Sequence, residues 1–428
     1  MEERDEAEPG VVRVAVAGAG ERGGGYARWI REHPDRARLV AVAEPRAKRR
    51  GDIAAEHRLP TEAVVAHWRD LDTSNLDAVV IATQDRDHAE AAVSFLDRGL
   101  HVLLEKPIAP TLPECARVVE AARQRPDRVF AVCHVLQYTP HTLALRALLA
   151  EDAIGEIVSV QHLEPVGWWH QAHSFVRGNW GNESRATFML LAKSCHDIDW
   201  LLHIVGRPAR RVSSFGSLTH FTAAHRPEGA AERCLDCRLE RTCAYSATRI
   251  YLDRALAGDT GWPVSVLAED PTPERIRDAL ESGPYGRCVY ACDNDVVDHQ
   301  VVAMEFDGGA TATFTMTAFT EMAHRRTEIF GTQGCLRSDG RMIDVLDFRT
   351  GQWTSHDTHT GADSTTEGGH GGGDAGLMDS FIGAVAAGDP GLVSSGAEAS
   401  YASHAATFAA ESARRHGVVE TLAAPSGG

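Results

Sequence analysis

Apolar runs and helix-like stretches alternate along residues 11–133. Five runs of mainly small and branched apolar residues predict buried strands, at 11–17, 38–43, 76–82, 102–104 and 128–133. Apolar positions with a helical period lie between them, at 26–30, 51–59, 89–100 and 113–123. Strands that are apolar throughout are typical of a parallel sheet covered by helices on both faces. We therefore predict an α/β fold, with a doubly wound parallel sheet over residues 11–133.

Residues 134–428 show a different order of elements. Helices are predicted at 137–150, 188–203, 374–387 and 396–415. A strand at 157–162 and alternating apolar and polar positions between 292 and 316 indicate further strands, the latter antiparallel. We expect this half to be a substrate and oligomerisation domain. The acidic residues 1–10 are expected to form a disordered tail, and residues 356–373, rich in Gly, Ser, Thr and His, a mobile loop.

The composition is that of an ordinary globular protein and excludes several kinds of partner. The 428 residues carry a net charge of −17, which disfavours nucleic acid and anionic membrane surfaces. No window approaches the roughly 18 consecutive apolar residues of a membrane span. The acidic start has no secretion signal, so we expect a cytoplasmic protein. Nine cysteines, an odd number, favour free thiols or a metal site over a disulfide framework.

A glycine-rich turn joins the first strand to the first helix. Its sequence is Gly18-Ala-Gly20-Glu-Arg-Gly23. Glycine lets the backbone turn tightly and approach a pyrophosphate, whose charge is attracted by the amides at the helix start. We therefore predict that this turn binds a dinucleotide, through Gly18, Gly20, Glu21, Arg22 and Gly23.

Glu44 ends the second strand, at the distance from the turn where an acid accepts hydrogen bonds from an adenosine ribose. An acid there repels a 2′-phosphate, so NAD is favoured over NADP. Arg46 lies close enough to weaken that preference, and an exposed loop acid is the alternative interpretation of Glu44.

Glu105-Lys106-Pro107 follows the strand at 102–104. Ligands bind at the carboxyl ends of strands in open α/β sheets, and proline ends the strand because it lacks a backbone donor. Lys106 is therefore a candidate proton donor and acceptor. A solvated lysine that closes the strand is the alternative.

The predicted helix at 188–203 places Lys193, His196 and Trp200 on one face. Asp197, four residues after Lys193, is expected to pair with it. His196 is a proton carrier near neutral pH, or alternatively a satisfied core histidine.

Residues 168–180, predicted as a loop, combine three tryptophans with several hydrogen-bonding groups. Tryptophan can cover the apolar face of a pyranose while polar side chains bond its hydroxyls. We predict a carbohydrate site formed by Trp169, Arg177 and Trp180, with Asp197 from the helix. A packed interface between domains or subunits is the alternative.

Four cysteines have spacings that suit a structural Zn²⁺ site, with two residues between the first pair. They are Cys234, Cys237, Cys243 and Cys288. Unligated thiols packed in a core are the alternative.

The order and spacing of four motifs resemble those of the Gfo/Idh/MocA family (glucose-fructose oxidoreductase, inositol dehydrogenase and MocA). They are the glycine turn, Glu44-Pro45, Ala82-Thr83-Gln84 with His88, and Glu105-Lys106-Pro107. The resemblance implies an N-terminal Rossmann domain and a C-terminal α/β domain with a large, open, mostly antiparallel sheet. It also implies redox chemistry on sugars or cyclitols and a dimer or tetramer.

The resemblance further implies roles for individual residues. Lys106 would sit beside the nicotinamide and transfer a proton, and Thr83, His88 and Glu105 would belong to the cofactor site. Members commonly carry an aspartate four residues before the histidine that His196 matches, where Ala192 stands here. Lys193 is the candidate substitute for that aspartate.

These features predict an NAD-dependent dehydrogenase of a sugar, amino sugar or cyclitol, with Lys106, His196 and Lys193 as catalytic residues. One alternative is an NAD-dependent glycoside hydrolase, in which transient oxidation permits elimination. A second is a non-catalytic nicotinamide-binding regulator, an alternative that Ala192 keeps open.

Overall fold

The N-terminal part of the computed structural model is a six-stranded parallel sheet. The structure describes residues 10–359 and 370–423, so residues 1–9 of the predicted tail and most of the predicted mobile loop lie outside the described residues. The strand order is β3-β2-β1-β4-β5-β6. The strands are β1 (Val12–Ala17), β2 (Ala37–Ala43), β3 (Val64–Val65), β4 (Ala78–Ile81), β5 (His101–Leu104) and β6 (Phe130–Val132). The doubly wound parallel sheet predicted from the apolar runs is confirmed.

Four helices connect these strands and cover the sheet. They are α1 (Glu21–Glu32), α2 (Ala47–His57), α3 (His88–Asp97) and α4 (Leu112–Arg123). Strands β4 and β5 are buried along their whole length, as expected of strands covered on both faces. Because all six strands run in one direction, the residues that follow β1, β2, β4 and β5 meet at one edge of the sheet.

The C-terminal part is built on a nine-stranded sheet of order β14-β13-β12-β11-β7-β10-β9-β8-β15. Only β7 and β10 pair in parallel among these strands; the remaining described pairs are antiparallel. The strands are β7 (Ile157–Pro165), β8 (Ala209–Ser217), β9 (His299–Phe306), β10 (Thr311–Thr317), β11 (Arg326–Gly331), β12 (Gly334–Ser338), β13 (Met342–Asp347), β14 (Gln352–Asp357) and β15 (Glu420–Thr421). The large, mostly antiparallel sheet implied by the resemblance is confirmed.

The helices of this half depart from the sequence prediction in several places. The described helices are α5 (Pro140–Ala150), α6 (Trp168–His170), α7 (Met189–Ala192), α8 (Cys195–Val205), α9 (Asp253–Leu256), α10 (Pro273–Ser282), α11 (Gly373–Ala387) and α12 (Ala397–His416). The single helix predicted at 188–203 is wrong, because the helix breaks at Lys193 and Ser194. The loop predicted at 168–180 is largely helical: α6 continues into a π-helical segment, Gln171–Arg177, whose seven residues are all buried.

Residues 218–298 form a largely irregular insertion between β8 and β9. The insertion has its own apolar cluster, centred on Phe221, Tyr251 and Leu280, and the π-helical segment packs into this cluster through Ala172 and Val176. The need to bury aromatic side chains in this cluster explains why residues 168–177 are not a solvent-facing loop. No helix in the described part of the chain is long and apolar enough to cross a membrane.

Candidate active site

Two of the three glycines in the turn after β1 are required by packing. Gly18 has a φ of +92°, and a Cβ there would lie 2.3 Å from the carbonyl oxygen of Ala82. A Cβ on Gly23 would lie 1.8 Å from the carbonyl oxygen of Gly18. Gly20, by contrast, has room for a side chain beside Arg46. The turn therefore brings β1, β4 and the start of α1 into the closest contact that a backbone allows.

This edge of the sheet fits a dinucleotide. Helix α1 begins at Glu21, so the unpaired amides of its first turn face the glycine turn. The hydroxyl of Thr83, which follows β4, is buried and has no hydrogen-bond partner among the described residues. Exposed amides and an unpaired buried hydroxyl are the groups that a pyrophosphate and a ribose would satisfy.

Glu44 is buried and is not an exposed loop acid. Its carboxylate accepts a hydrogen bond from the backbone N–H of Ala19 at 2.8 Å, which fixes it against the glycine turn. Arg46 donates to the same carboxylate through its backbone N–H at 3.0 Å and its Nε at 2.6 Å. Against the effect of burial, the bonds from Arg46 and Ala19 lower the pKa of Glu44. Glu44 is therefore an anion at neutral pH, partly neutralised by a half-exposed arginine.

Arg22 joins the glycine turn to the Glu105-Lys106-Pro107 turn. Its Nε lies 2.5 Å from Oε1 of Glu105, which also accepts a hydrogen bond from the hydroxyl of Tyr26 at 2.7 Å. Its Nη2 bonds Asp374 at the start of α11. Burial alone would raise the pKa of Glu105, but the charge of Arg22 holds that pKa below its usual value. Glu105 is therefore a buried anchor, and Arg22 fixes its orientation.

Lys106 reaches from the first sheet to the second domain. Its Nζ donates a hydrogen bond to the backbone carbonyl of Ala192 at 2.7 Å, at the end of α7. Ala192, which stands where the resemblance led us to expect an aspartate, thus binds the lysine through its neutral backbone carbonyl. His88, predicted as a cofactor ligand, is buried and donates its Nδ1–H to the carbonyl of Pro107 at 2.7 Å, so it supports the turn that carries Lys106.

His196, on α8, is 4% exposed and lies beside two further histidines. Its ring centroid is 5.7 Å from that of His370 and 6.0 Å from that of His134. Burial, and then Lys106, lower its pKa well below the usual value, so the ring is neutral at pH 7. Its Nδ1 is buried and has no partner in the described part of the chain. A neutral imidazole with an unsatisfied nitrogen can exchange a proton with a bound ligand.

The expected pair between Lys193 and Asp197 does not form. Lys193 Nζ lies 3.1 Å from Oε1 of Glu164, at the end of β7, because the helix breaks at Lys193 and turns its side chain away from α8. Arg325 bridges the two carboxylates: its Nε is 2.6 Å from Glu164 and 2.8 Å from Asp197. His162 also bonds Asp197, at 3.2 Å. Asp197 is fully buried in this network, so the structure does not support its predicted role as a substrate ligand.

Burial sets the charge balance of this network. Burial lowers the pKa of Lys193, with Glu164 acting in the opposite direction. Burial alone would raise the pKa of Asp197, but Arg325 and His162 hold that pKa well below its usual range. The ion pairs match Lys193 and Arg325 with Glu164 and Asp197, so the formal charges of the network balance and it presents many hydrogen-bonding groups.

The predicted carbohydrate site around Trp169, Arg177 and Trp180 is dispersed. Arg177 is buried and donates to the carbonyl oxygens of Arg287 and Tyr245, at 2.8 and 2.7 Å. Trp169 packs on Trp262, with ring centroids 5.1 Å apart, and Trp180 is 41% exposed. For Arg177 and Trp169 the packed interface, here with the insertion, describes the contacts better than a sugar site does.

The structure does not support the predicted zinc site. The four cysteines line one cavity of about 410 Å³ in the insertion. Arg177 also lines it, with Nη2 3.5 Å from the sulfur of Cys234. Burial raises the pKa of the Cys243 and Cys288 thiols. No group of three or more Cys, His, Asp or Glu residues within 10–359 and 370–423 is placed to hold a metal ion.

Sequence reasoning missed several residues around His196. Glu164 lies at the end of β7 and Arg325 directly before β11. The two strands are antiparallel neighbours, so these residues meet in space although they share no local sequence motif. His370 and Asp374 have the spacing of one helical turn, and their side chains lie 3.1 Å apart. That spacing was visible in the sequence, but the surrounding glycines favoured a loop prediction.

The class of protein follows from how the two domains meet. One domain presents an edge that fits a dinucleotide and the other adds buried histidines beside Lys106, an arrangement typical of nucleotide-dependent oxidoreductases. Residues 12–133 match the family model of the Gfo/Idh/MocA oxidoreductase family for its NAD-binding Rossmann fold. Residues 146–421 match the model for its C-terminal alpha/beta domain. The chain belongs to this family, which confirms the family and the oxidoreductase class predicted from the sequence.

Several proteins are similar to this chain in sequence or in structure. The chain is 25% identical to YteT of Bacillus subtilis, over 72% of this chain and 73% of YteT. It is 30% identical to an inositol 2-dehydrogenase of Streptomyces avermitilis, over 50% of this chain and 59% of that enzyme. Among solved structures, levoglucosan dehydrogenase in complex with NADH superimposes with a TM-score of 0.70 at 18% identity, covering 96% of this chain and 99% of that one. This last likeness shows the shared fold.

Proposed function

We propose that this protein is an NAD-dependent dehydrogenase that oxidises a secondary alcohol of a sugar, amino sugar or cyclitol. The observation that carries the proposal is the meeting of Lys106 with the second domain. Its Nζ is held by the carbonyl of Ala192, four residues before His196, and burial, followed by the charge of Lys106, lowers the pKa of that histidine. The inositol and levoglucosan dehydrogenases support the substrate class.

Different residues of the chain would bind the cofactor, transfer the proton and orient the substrate. NAD, held by the glycine turn, Thr83 and Glu44, would accept a hydride from the carbinol carbon when bound. Lys106 and His196 are the proton carriers for the alcohol oxygen, because a cation polarises that oxygen while a neutral imidazole can take its proton. Lys193 would orient the substrate, since it is fixed by Glu164 yet its side chain remains 19% exposed.

The local charges favour a neutral polyol. Around the candidate substrate position, Lys193 and Arg325 are balanced by Glu164 and Asp197. An acidic sugar would need a cation that is not already paired with a carboxylate: Lys193 and Arg325 are both paired, and Lys106, held by the carbonyl of Ala192, is the cation that we assign to the alcohol oxygen.

A substrate panel tests the proposal. Purified protein is incubated with NAD and a series of cyclitols, aldoses, amino sugars and anhydro sugars, and NADH is followed by its absorbance. We expect NADH formation with at least one neutral polyol. Tight NAD binding without NADH formation on any of them would reject the dehydrogenase. Aglycone release from glycosides without NADH accumulation would instead identify the elimination reaction.

The cofactor preference depends on the pair formed by Glu44 and Arg46. We expect Arg46→Ala to raise the ratio of the NADP to the NAD dissociation constant about tenfold. The reason is that Arg46 neutralises Glu44 and is the nearest cation for a 2′-phosphate, and a charged hydrogen bond is worth about 1.5–3 kcal/mol. Isothermal titration with both cofactors measures the ratio. Arg31→Ala, which removes an exposed arginine paired with Glu56, is the matched control; equal ratios in the two variants would contradict the assignment.

A further inference from the structure

His370 and Asp374 form a pair next to His196 that the proposed function does not use. His370 Nδ1 lies 3.1 Å from Oδ2 of Asp374, one helical turn later. Nη1 of Arg22 lies farther from the same nitrogen, at 3.5 Å, so the nearer carboxylate favours a proton on Nδ1 and leaves Nε2 as the acceptor. The ring therefore has the tautomer and the counter-charge of a general base.

The pair lies between the buried histidine and solvent. His196 is 4% exposed, whereas the side chain of His370 is 26% exposed. Their ring centroids are 5.7 Å apart, a separation that one bridging water can span. A proton that reaches His196 must be transferred onward to another acceptor, because a buried imidazolium beside Lys106 is strongly disfavoured.

Among the groups around His370, Asp374 is the one that stabilises the protonated ring. Asp374 on α11, Arg22 on α1, Arg325 before β11 and His196 on α8 face the ring. Burial lowers the pKa of His370, Asp374 raises it, and Arg22 and Arg325 lower it further. The ring is neutral at pH 7, and Asp374 is the anion that stabilises its protonated form.

We propose that His370, held by Asp374, receives the proton that His196 takes from the substrate and passes it to solvent. The inference rests on the proposed function. With NAD bound, the carbinol carbon would lose its hydrogen as hydride to the cofactor and its C–O bond would become a carbonyl, while the O–H proton would pass to His196 and from there to Nε2 of His370. That proton then moves to water or buffer, which returns the ring to its neutral form. His370 and Asp374 are thus relay residues and need not touch the substrate.

Kinetics in weak buffer test the relay. We expect His370→Gln to lower kcat about 10²-fold with KM for NAD unchanged, and added imidazole to restore most of the loss. Asp374→Asn should lower kcat about tenfold and shift the acidic limb of its pH profile to lower pH, because a group that raises the pKa of His370 is lost. Asp379→Asn, on the same helix but paired with Arg36 at the surface, is the matched control.

Two results would overturn the relay. One is a kcat for His370→Gln equal to that of the wild-type protein at every imidazole concentration. The other comes from nitrogen NMR of labelled histidine in the wild-type protein, where we expect the Nδ1–H tautomer at His370; the Nε2–H tautomer would reject the pair. If wild-type protein oxidises no polyol, the proposed function fails, while the tautomer measurement still decides whether the pair exists as described.

Discussion

Replacing Lys106 with alanine is expected to lower kcat by about 10²–10⁴-fold while NAD still binds. The variant removes the cation held at the Ala192 carbonyl, and no other lysine among the described residues bonds that carbonyl. His196 remains, so a residual rate from its imidazole is expected. Turnover of the best polyol from the panel and titration with NAD measure the two quantities separately.

The control for this change is Lys48→Ala. Lys48 is an exposed lysine of the same domain, paired with Asp52 one helical turn away. We expect it to leave both kcat and NAD affinity unchanged, since exposed pairs contribute little. Full turnover in the Lys106 variant would remove Lys106 from the mechanism, and a parallel loss of NAD binding would show a structural role instead.

Gly23→Ala is expected to destabilise the N-terminal domain by about 2–3 kcal/mol and to weaken NAD binding about 30–100-fold. The added Cβ would lie 1.8 Å from the carbonyl oxygen of Gly18, so α1 and the turn must move apart. This movement displaces the amides that face the pyrophosphate. Urea unfolding measures the stability, and titration with NAD measures the affinity.

Gly24→Ala is the matched control, because it adds the same methyl group one residue later. Nothing lies within 4 Å of a Cβ at Gly24, which is also inside α1. Alanine favours a helix over glycine by about 0.5–1 kcal/mol, so this variant should be slightly more stable. Similar losses in both variants would contradict the close approach that the structure shows at Gly23.

The sequence determined the first sheet and its ligand edge because the signals there are local. Each apolar run is one strand, and the residues that bind ligands in a parallel sheet directly follow such runs. Gly18, Glu44, Thr83 and Lys106 are therefore placed at one edge once the strands are recognised. The structure refined this picture by showing that Glu44 is buried against Ala19.

The break at Lys193 could not be foreseen from the sequence. The apolar positions of residues 188–203 have one uninterrupted helical period, yet the chain departs from it where Lys193 pairs with Glu164. The gain from that ion pair, and from the contact of Lys106 with Ala192, depends on residues distant in the chain. Tertiary contacts overrode a local preference worth only tenths of a kcal/mol per residue.

The same reason explains which residues of the candidate site were missed. Arg325 connects Glu164 and Asp197, and His370 lies beside His196, only because strands and helices far apart in sequence pack together. Charge type and spacing along one segment carry no information about such contacts. The sequence by itself determined the edge of the sheet that carries the cofactor motifs and supplied the candidate proton carriers, whereas only the tertiary structure decided which charges pair, because pairing energy depends on distances that folding creates.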